Sequence, residues 1–468
     1  MPDELKPGAH VHLMGIGGFG INPIARVMHK FGYHVSGCDA APSPLLDPLR
    51  EMGIPVEIGH RAAHLDAYTP DALVVSSAIP ADNAEMLAAS RRGIPVLKRA
   101  DVLCSLMGDR TGVAVAGTHG KTTTSAMLAW TLFDVGLDPS FIIGGVLANL
   151  DTNARAGGGR PFVIEADEYD RMFMGLCPRI ALVTMIELDH PDMFASLAEV
   201  RALFREFVGL LPEDGLLIAG YDDPEARRLV DDAHVPTVTY GLLGGDWTAD
   251  TVVPNARGGM DFIALWHGRP IVEVSLRVPG MHNVQNALGV LAAAEAFGAP
   301  VEDAAAALGE FAGVGRRFEV KGEAAGVTVV DDYAHHPTAI QATIAAAGER
   351  FPGSAIWVVW QPHTYSRTKA LLDEFAASFV DADHVIITDV YRSRDTSTFG
   401  VGPEDVLARM TYHRDARHIG ALDDVVDHLA LNVQPGEVVL VLSAGDATRV
   451  CDDLLAELAG VPPETGAA

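Results

Sequence analysis

Residues 111–134 leave little freedom in what this chain can fold into. Thr111–Ala116 is a short apolar run that reads as a buried strand. Gly117-Thr118-His119-Gly120-Lys121-Thr122-Thr123-Thr124 follows, and Ser125–Phe133 is apolar at helical spacing. A strand, a glycine loop ending in Lys-Thr and a helix together form the arrangement that wraps a triphosphate. Backbone N–H groups and the positive helix end face the phosphates, the ammonium reaches the outer pair and a hydroxyl holds Mg²⁺. Lys121 is the only lysine between Lys98 and Lys321, which makes a chance match less credible. The spacing is unusual in one respect: Gly117 stands three residues before Gly120, closer than in the common loop.

At 468 residues the chain is too long for one core, and at about 150 residues per domain it predicts three. Its net charge is −28, from 34 basic and 62 acidic residues. That balance argues against nucleic acid or an anionic membrane as partner. An anionic substrate then requires local positive sites built against the protein's own field. Cys38, Cys104, Cys177 and Cys451 are scattered, with no pair at metal-ligand spacing, and are expected to be free, packed thiols. The opening Met1-Pro2-Asp3-Glu4 lacks the pattern of a secretory signal, and no apolar run reaches the ~20 residues that span a bilayer. A cytoplasmic location is expected, with a frayed tail after Pro462.

Three α/β blocks follow one another. In the first, the strand Val11–Met14 leads into Gly15-Ile16-Gly17-Gly18-Phe19-Gly20 and a helix from Ile24 to His29. A second strand ends at Asp39, and Ala72–Val75 runs into Ser76-Ser77. This βαβ pattern, with an acidic residue beyond the glycine turn, suits the pyrophosphate of a dinucleotide or the diphosphate of a UDP-sugar.

The second block contains the phosphate loop and two strands that end in polar clusters. Pro161–Glu165 leads to Asp167 and Glu168, and Ile180–Thr184 leads to Glu187, Asp189 and His190. Ligands collect at the carboxyl ends of strands in doubly wound sheets, so these groups suit Mg²⁺ held by a few protein oxygens and phosphates. Acidic turns and N-caps are the simpler alternative. His282 and Asn286 lie one turn apart at the start of an alanine-rich helix reaching Phe297. They face either an adenine edge or the helix cap. Arg316-Arg317 on a glycine-flanked loop suits phosphate charge.

In the third block four apolar strands end in polar or aromatic groups. Val327–Val330 leads to Asp331-Asp332-Tyr333-Ala334-His335-His336, and Ala355–Trp360 to His363, Tyr365 and Arg367. His384–Asp389 leads to Tyr391 and Arg394, and Val438–Leu442 to Ser443 and Asp446. Such clustering marks one lined edge of a parallel sheet.

The ordered set of motifs resembles the Mur ligase family, the ATP-dependent amide-forming enzymes of peptidoglycan precursor synthesis. The residues carrying the likeness are Gly15–Gly20, Ser76–Pro80, Gly117–Thr124, Glu165–Asp170, Asp189-His190, His282–Asn286, Arg316–Glu319, Asp331–Thr338 and Gln361–Thr368. The resemblance implies three domains. These are an N-terminal Rossmann-like UDP-sugar-binding domain (1–110), a central P-loop ATPase domain with a mostly parallel sheet (111–318) and a C-terminal Rossmann-like domain (319–468). It is strongest to the branch that joins L-alanine to the lactyl carboxylate of UDP-N-acetylmuramate, acting as a monomer or homodimer.

It further implies that Gly117, Thr118, His119, Gly120, Lys121, Thr122 and Thr123 bind ATP. Thr122, Glu165, Glu168 and His190 would then hold Mg²⁺. His282, Asn283 and Asn286 would meet the adenine, and Arg317 and Asp332 the closed nucleotide. Gly15, Gly17, Gly18, Asp39, Ser76 and Ser77 would hold the UDP part. Tyr333, His335, His363, Tyr365 and Arg367 would face the amino acid and the reacting carboxyl, with His335 as proton acceptor. Lys121, His190, His335 and Arg367 would be catalytic.

Met185 departs from the family's usual asparagine, putting a polar contact in question, and Cys38 and Ser443 replace small residues. Residues 191–216 contain no lysine, so the carbamylated lysine of many relatives has no counterpart there. A sibling ligase that adds a whole tripeptide, an oxidoreductase built on Gly15–Gly20 and a nucleotide-switched binding protein are the alternatives.

Overall fold

Inner strands rich in branched and aromatic residues are buried on both faces here, and the glycine- and acid-rich segments after them form the loops at one sheet edge. The computed structural model describes residues 5–413 and 415–460, so the tail after Pro462 lies outside them. The strands are β1 (His10–Met14), β2 (His34–Asp39), β3 (Val56–Ile58), β4 (Ala72–Val75) and β5 (Val96–Lys98) in the first part. The central part holds β6 (Thr111–Ala116), β7 (Ser140–Leu147), β8 (Thr152–Arg155), β9 (Pro161–Glu165), β10 (Ile180–Val183), β11 (Leu216–Gly220), β12 (Thr237–Tyr240), β13 (Trp247–Pro254), β14 (Met260–Trp266) and β15 (Arg269–Ser275). The last part holds β16 (Glu319–Ala324), β17 (Val327–Asp332), β18 (Ile356–Trp360), β19 (His384–Ile387), β20 (Ala416–His418) and β21 (Val438–Leu442).

They make three sheets, one to each part, and the three-part α/β expectation holds. The first sheet is parallel throughout, in the order β3-β2-β1-β4-β5. Its order reverses between β1 and β4, the place where ligands enter such sheets. There Gly15, at φ +77°, packs so close to Ser76 that an added Cβ would lie 2.9 Å from the serine Cβ. The central sheet runs β15-β14-β13-β12-β11-β10-β6-β9-β7-β8, parallel except at its two antiparallel ends. The third runs β16-β17-β21-β18-β19-β20, with only β16 antiparallel.

Every residue of β18 and β21 is buried, as expected of strands covered by helices on both faces. One apolar cluster unites Val11, Ile24 and Met28 with Phe162, Phe173 and Phe204, so the first part and the central part share a core. Among the described residues no helix is long and apolar enough to cross a membrane.

The structure corrects the expectation of four free thiols. Cys104 and Cys177 form a disulfide, leaving Cys38 and Cys451 as buried free cysteines. Cys104 sits on the helix Arg99–Met107 and Cys177 precedes β10, 73 residues later. Spacing in sequence carries no trace of that meeting. Thiol titration of the denatured, unreduced chain is expected to find two reactive thiols; four would remove the bridge.

Candidate active site

The loop after β6 is shaped by what lies beside it. Gly117, at φ +135°, leaves no room for a side chain, because a Cβ would fall 2.0 Å from Thr184 Oγ1. Thr184 Oγ1 donates to the carbonyl of His119 at 2.5 Å. The Thr118 N–H donates to the Met185 carbonyl at 2.8 Å. The doubt attached to Met185 therefore changes character: at this contact residue 185 supplies main chain, which any side chain permits. Gly120 caps the helix Lys121–Asp134 in the left-handed region, and the helix N-terminus opens onto the site.

Lys121 Nζ lies 2.8 and 2.9 Å from the two Glu168 carboxylate oxygens and 2.5 Å from the Gly117 carbonyl. Burial works against the ammonium, yet Glu168 and then Asp167 outweigh it and hold its pKa above the ordinary value. Burial pushes Glu168 up to about 7 despite the lysine. Glu165, at the end of β9, accepts from Thr122 Oγ1 at 2.9 Å and from the Gly144 N–H at 2.6 Å. Arg317 Nη2 donates to the same Thr122 hydroxyl at 3.1 Å.

His190 follows β10 with φ +54°, its Nε2 3.8 Å from Glu168 Oε1. Its Nδ1 is buried without a partner, and burial lowers its pKa. The neighbouring Asp189 carboxylate accepts from Arg367 Nε at 2.8 Å, and Arg367 Nη2 forms an ion pair with the same oxygen at 2.8 Å. Arg367 Nη1 also lies 3.0 Å from His363 Nδ1. Burial alone would raise the Asp189 pKa, but the Arg367 guanidinium holds it well below the usual range.

Further contacts join the same two sheets. His119 Nε2 lies 3.1 Å from both His336 Nδ1 and Glu187 Oε2, and Thr338 Oγ1 donates to Glu187 at 2.8 Å. Arg394 pairs with both oxygens of Asp192 at 2.7 and 2.9 Å while covering the Tyr169 ring.

His335 Nδ1 is 2.8 Å from the Tyr333 carbonyl. A carbonyl only accepts, so Nδ1 carries the proton and Nε2 keeps its lone pair. Burial, reinforced by Arg367, puts its pKa well below the ordinary value, so the ring is neutral. His282 is likewise driven to about 4 by burial. Asn286 donates to Asn283 Oδ1 at 3.2 Å, and Asn283 to the Pro279 carbonyl at 2.7 Å. No side chain caps this helix, so the capping alternative for His282 and Asn286 fails. Asp332 accepts from the Phe318 and Ala334 N–H groups, both at 2.7 Å.

A cavity of about 380 Å³ gathers Thr118–Thr123, Glu165, His190, His282, Asn283, Asn286, Arg317, Asp332, Tyr333, His335, His363 and Arg367. Gly117 and Glu168 sit behind its wall. Tyr365 is not on it; that ring packs beside Arg392. Gly15, Gly17, Gly18, Asp39, Ser76 and Ser77 form a separate group at the edge of the first sheet, where Asp39 Oδ2 accepts from the Gly17 N–H at 2.8 Å. Sequence reasoning left out Thr184, the Gly144 N–H and the pairing of Asp189 with Arg367, none of which has a local signal. A larger cleft, about 680 Å³, borders Thr111, Pro161, Ile180 and Leu216. Those residues begin their strands, so it lies at the opposite sheet edge from the Gly117–Thr124 loop.

Comparison with known proteins bears on the whole chain. Residues 10–111 match the family model described as Mur ligase family, catalytic domain. Residues 115–294 match the Mur ligase middle domain, and residues 316–445 the Mur ligase, glutamate ligase domain. The chain is 45% identical to a UDP-N-acetylmuramate–L-alanine ligase of Kineococcus radiotolerans over 96% of each chain. It is 40% identical to the protein of the same name from Geotalea daltonii, over 97% of this chain and 98% of that one. The crystal structure of UDP-N-acetylmuramate-alanine ligase from Thermotoga maritima superposes with a TM-score of 0.80 at 28% identity, covering 96% of this chain and 99% of that one.

The Asp189–Arg367 pair gives a test of how the last two sheets are held together. With its pKa depressed, Asp189 contributes stability that is fully present above the ordinary carboxylate range and lost as pH falls through the lowered value. Asp189→Asn strands a buried guanidinium and is expected to cost about 3–5 kcal/mol at neutral pH. The gap from the parent should narrow below about pH 4. Denaturant unfolding at several pH values measures it, and a pH-independent gap would remove the pair from this role.

Proposed function

This chain belongs to the Mur ligase family, and on that premise we propose that it joins L-alanine to the lactyl carboxylate of UDP-N-acetylmuramate, converting ATP to ADP and phosphate. It is an ATP-dependent ligase of peptidoglycan precursor synthesis. The observation that carries this reading is the convergence of Lys121, Arg317 and Arg367 with Glu165 and His190 on one cavity, in a chain similar end to end to alanine-adding ligases. Residues 1–110 take the UDP-sugar, 111–318 the ATP and 319–468 the amino acid.

A carboxylate is a poor electrophile, so its conversion to an acyl phosphate precedes amide formation. Phosphoryl transfer needs charge neutralisation and alignment more than covalent help. Lys121 supplies a point charge once the phosphates replace Glu168 as its counter-ion. Arg317, already beside Thr122, reaches the same oxygens. The backbone from Gly117 to Thr123 supplies N–H donors, while neutral His282 with Asn283 and Asn286 meets the base.

Thr122, Glu165 and His190 fit Mg²⁺: a carboxylate and a hydroxyl in contact, and a buried imidazole nitrogen without a partner. Glu168 fits less directly, since Lys121 occupies both its oxygens. Bound there, Mg²⁺ would supply further neutralisation of the phosphoryl oxygens.

The neutral alanine amine attacks the acyl carbon, the acyl–phosphate bond breaks with release of phosphate, and the nitrogen gives up one proton, which the His335 Nε2 lone pair is placed to take. Arg367, with Tyr333 and His363, surrounds the carboxyl end of the amino acid. Gly15, Gly17, Gly18, Asp39, Ser76 and Ser77 hold the diphosphate and ribose of the sugar nucleotide.

Phosphate release with UDP-N-acetylmuramate, ATP, Mg²⁺ and a panel of amino acids is expected to be fastest with alanine. A preference for the tripeptide, or no release despite ATP binding, would overturn the assignment. Lys121→Ala is expected to lower turnover by about 10²–10³-fold or more. His335→Gln should depress kcat more than KM, and full turnover in that variant would remove the proton-acceptor role.

A further inference from the structure

We propose that the first domain carries a structural Zn²⁺ site formed by His12, Cys38, His64 and Glu85, outside the ligase machinery. The four side chains come from β1, β2, the helix His64–Tyr68 and the first turn of the helix Ala84–Arg91. His12, Cys38 and Glu85 are fully buried and His64 is 7% exposed. One donor atom from each lies within 4.8 Å of all the others.

Glu85 is the hub. Its Oε1 is 3.2 Å from His12 Nε2, both its oxygens are 3.2 Å from His64 Nδ1, and Oε2 is 3.5 Å from Cys38 Sγ. In a tetrahedral zinc site with ordinary bond lengths the ligand atoms stand about 3.3–3.8 Å apart. The three spans from Glu85 are already near those values, and the other three lie within 4.8 Å.

The orientation of His12 points the same way. Its Nδ1 lies 2.8 Å from the buried Ser36 hydroxyl, leaving Nε2 turned into the cluster. Nε2 is buried and makes no hydrogen bond, despite its nearness to Glu85. An imidazole fixed through one nitrogen with the other directed inward is the habit of a metal-bound histidine.

Charge also favours the ion. Burial and Glu85 hold the Cys38 thiol in its protonated form. Zn²⁺ would replace that proton, which leaves to solvent. The thiolate and the carboxylate would then neutralise the dication, and two neutral imidazoles complete the set. Two nitrogens, one sulfur and one oxygen suit zinc better than Mg²⁺ or Ca²⁺. All four positions would be protein ligands, so the ion would bind strands and helices together and perform no chemistry. His60, with Nδ1 3.2 Å from Sγ, would remain as a hydrogen-bond partner of the thiolate.

The test uses the full chain stripped by a chelator and titrated with Co²⁺ in excess Mg²⁺. One cobalt per chain is expected, with tetrahedral visible bands and a thiolate charge-transfer band in the near ultraviolet, displaced by about one equivalent of Zn²⁺. Cys38→Ser should abolish the charge-transfer band, and His64→Ala should weaken Zn²⁺ binding by at least about tenfold. Cys451→Ser, which changes the other buried free thiol, should leave the band intact. If Cys38→Ser does not fold, the Cys451→Ser result still decides, because a band lost there assigns the thiolate elsewhere. Absence of the band in the parent protein, or its survival in Cys38→Ser, would leave the cluster as a hydrogen-bonded network only. None of these readouts depends on ligase turnover.

Discussion

A buried ammonium must have a counter-charge, and much of the site follows from that single requirement at Lys121. With 13% of its side chain exposed, the lysine cannot rely on water. Glu168 provides the charge from the residue before the 3-10 turn Tyr169–Gly175, and two loop carbonyls accept the remaining ammonium hydrogens. The pair is unequal: burial pushes Glu168 up to about 7, so the carboxylate is the weaker member. A phosphate offers more charge and more acceptor oxygens than a buried carboxylate. The lysine is thus held in position by a partner that a nucleotide can displace.

The second constraint is that the site belongs to two sheets at once. β6, β9 and β10 bring the loop, Glu165 and Asp189 to one edge, while β17, β18 and β19 bring His335, Arg367 and Arg394 to another. Contacts between Arg367 and Asp189, Arg394 and Asp192, Thr338 and Glu187, and Arg317 and Thr122 join the two. Each places a residue of the last part, or of the linker before it, against a loop of the central part. In a chain of net charge −28 these arginines form the local positive region that an anionic substrate demands.

What was legible in the sequence is what local pattern encodes. Apolar runs ending in polar clusters identified β6, β9, β10, β17 and β18, because a strand buried on both faces has no other way to be written. The glycine loop with Lys-Thr was equally plain. Pairings across long separations were not: Asp189 and Arg367 are 178 residues apart, and Cys104 and Cys177 are 73 apart. Both depend on strand order, which no segment carries by itself. Tyr365 shows the limit of proximity. It stands between His363 and Arg367 in sequence, yet a residue two positions from Arg367 on a helix faces away from it. Met185 shows the converse, since the contact found there uses its carbonyl and is indifferent to the side chain.

The division of labour between lysine and arginine follows from their chemistry. Arg367 is 2% exposed and holds Asp189 through Nε and Nη2 while Nη1 faces His363. A planar guanidinium gripped on several edges loses several aligned bonds when it moves, so it resists exchange. Lys121 is a compact charge on a flexible stem, and its three donors have no fixed fork to match. It can pass from a carboxylate to a phosphate with little geometric cost. Arginines therefore suit the joints that must persist while the last sheet stays against the central one. A single lysine suits the one position where the counter-ion has to change.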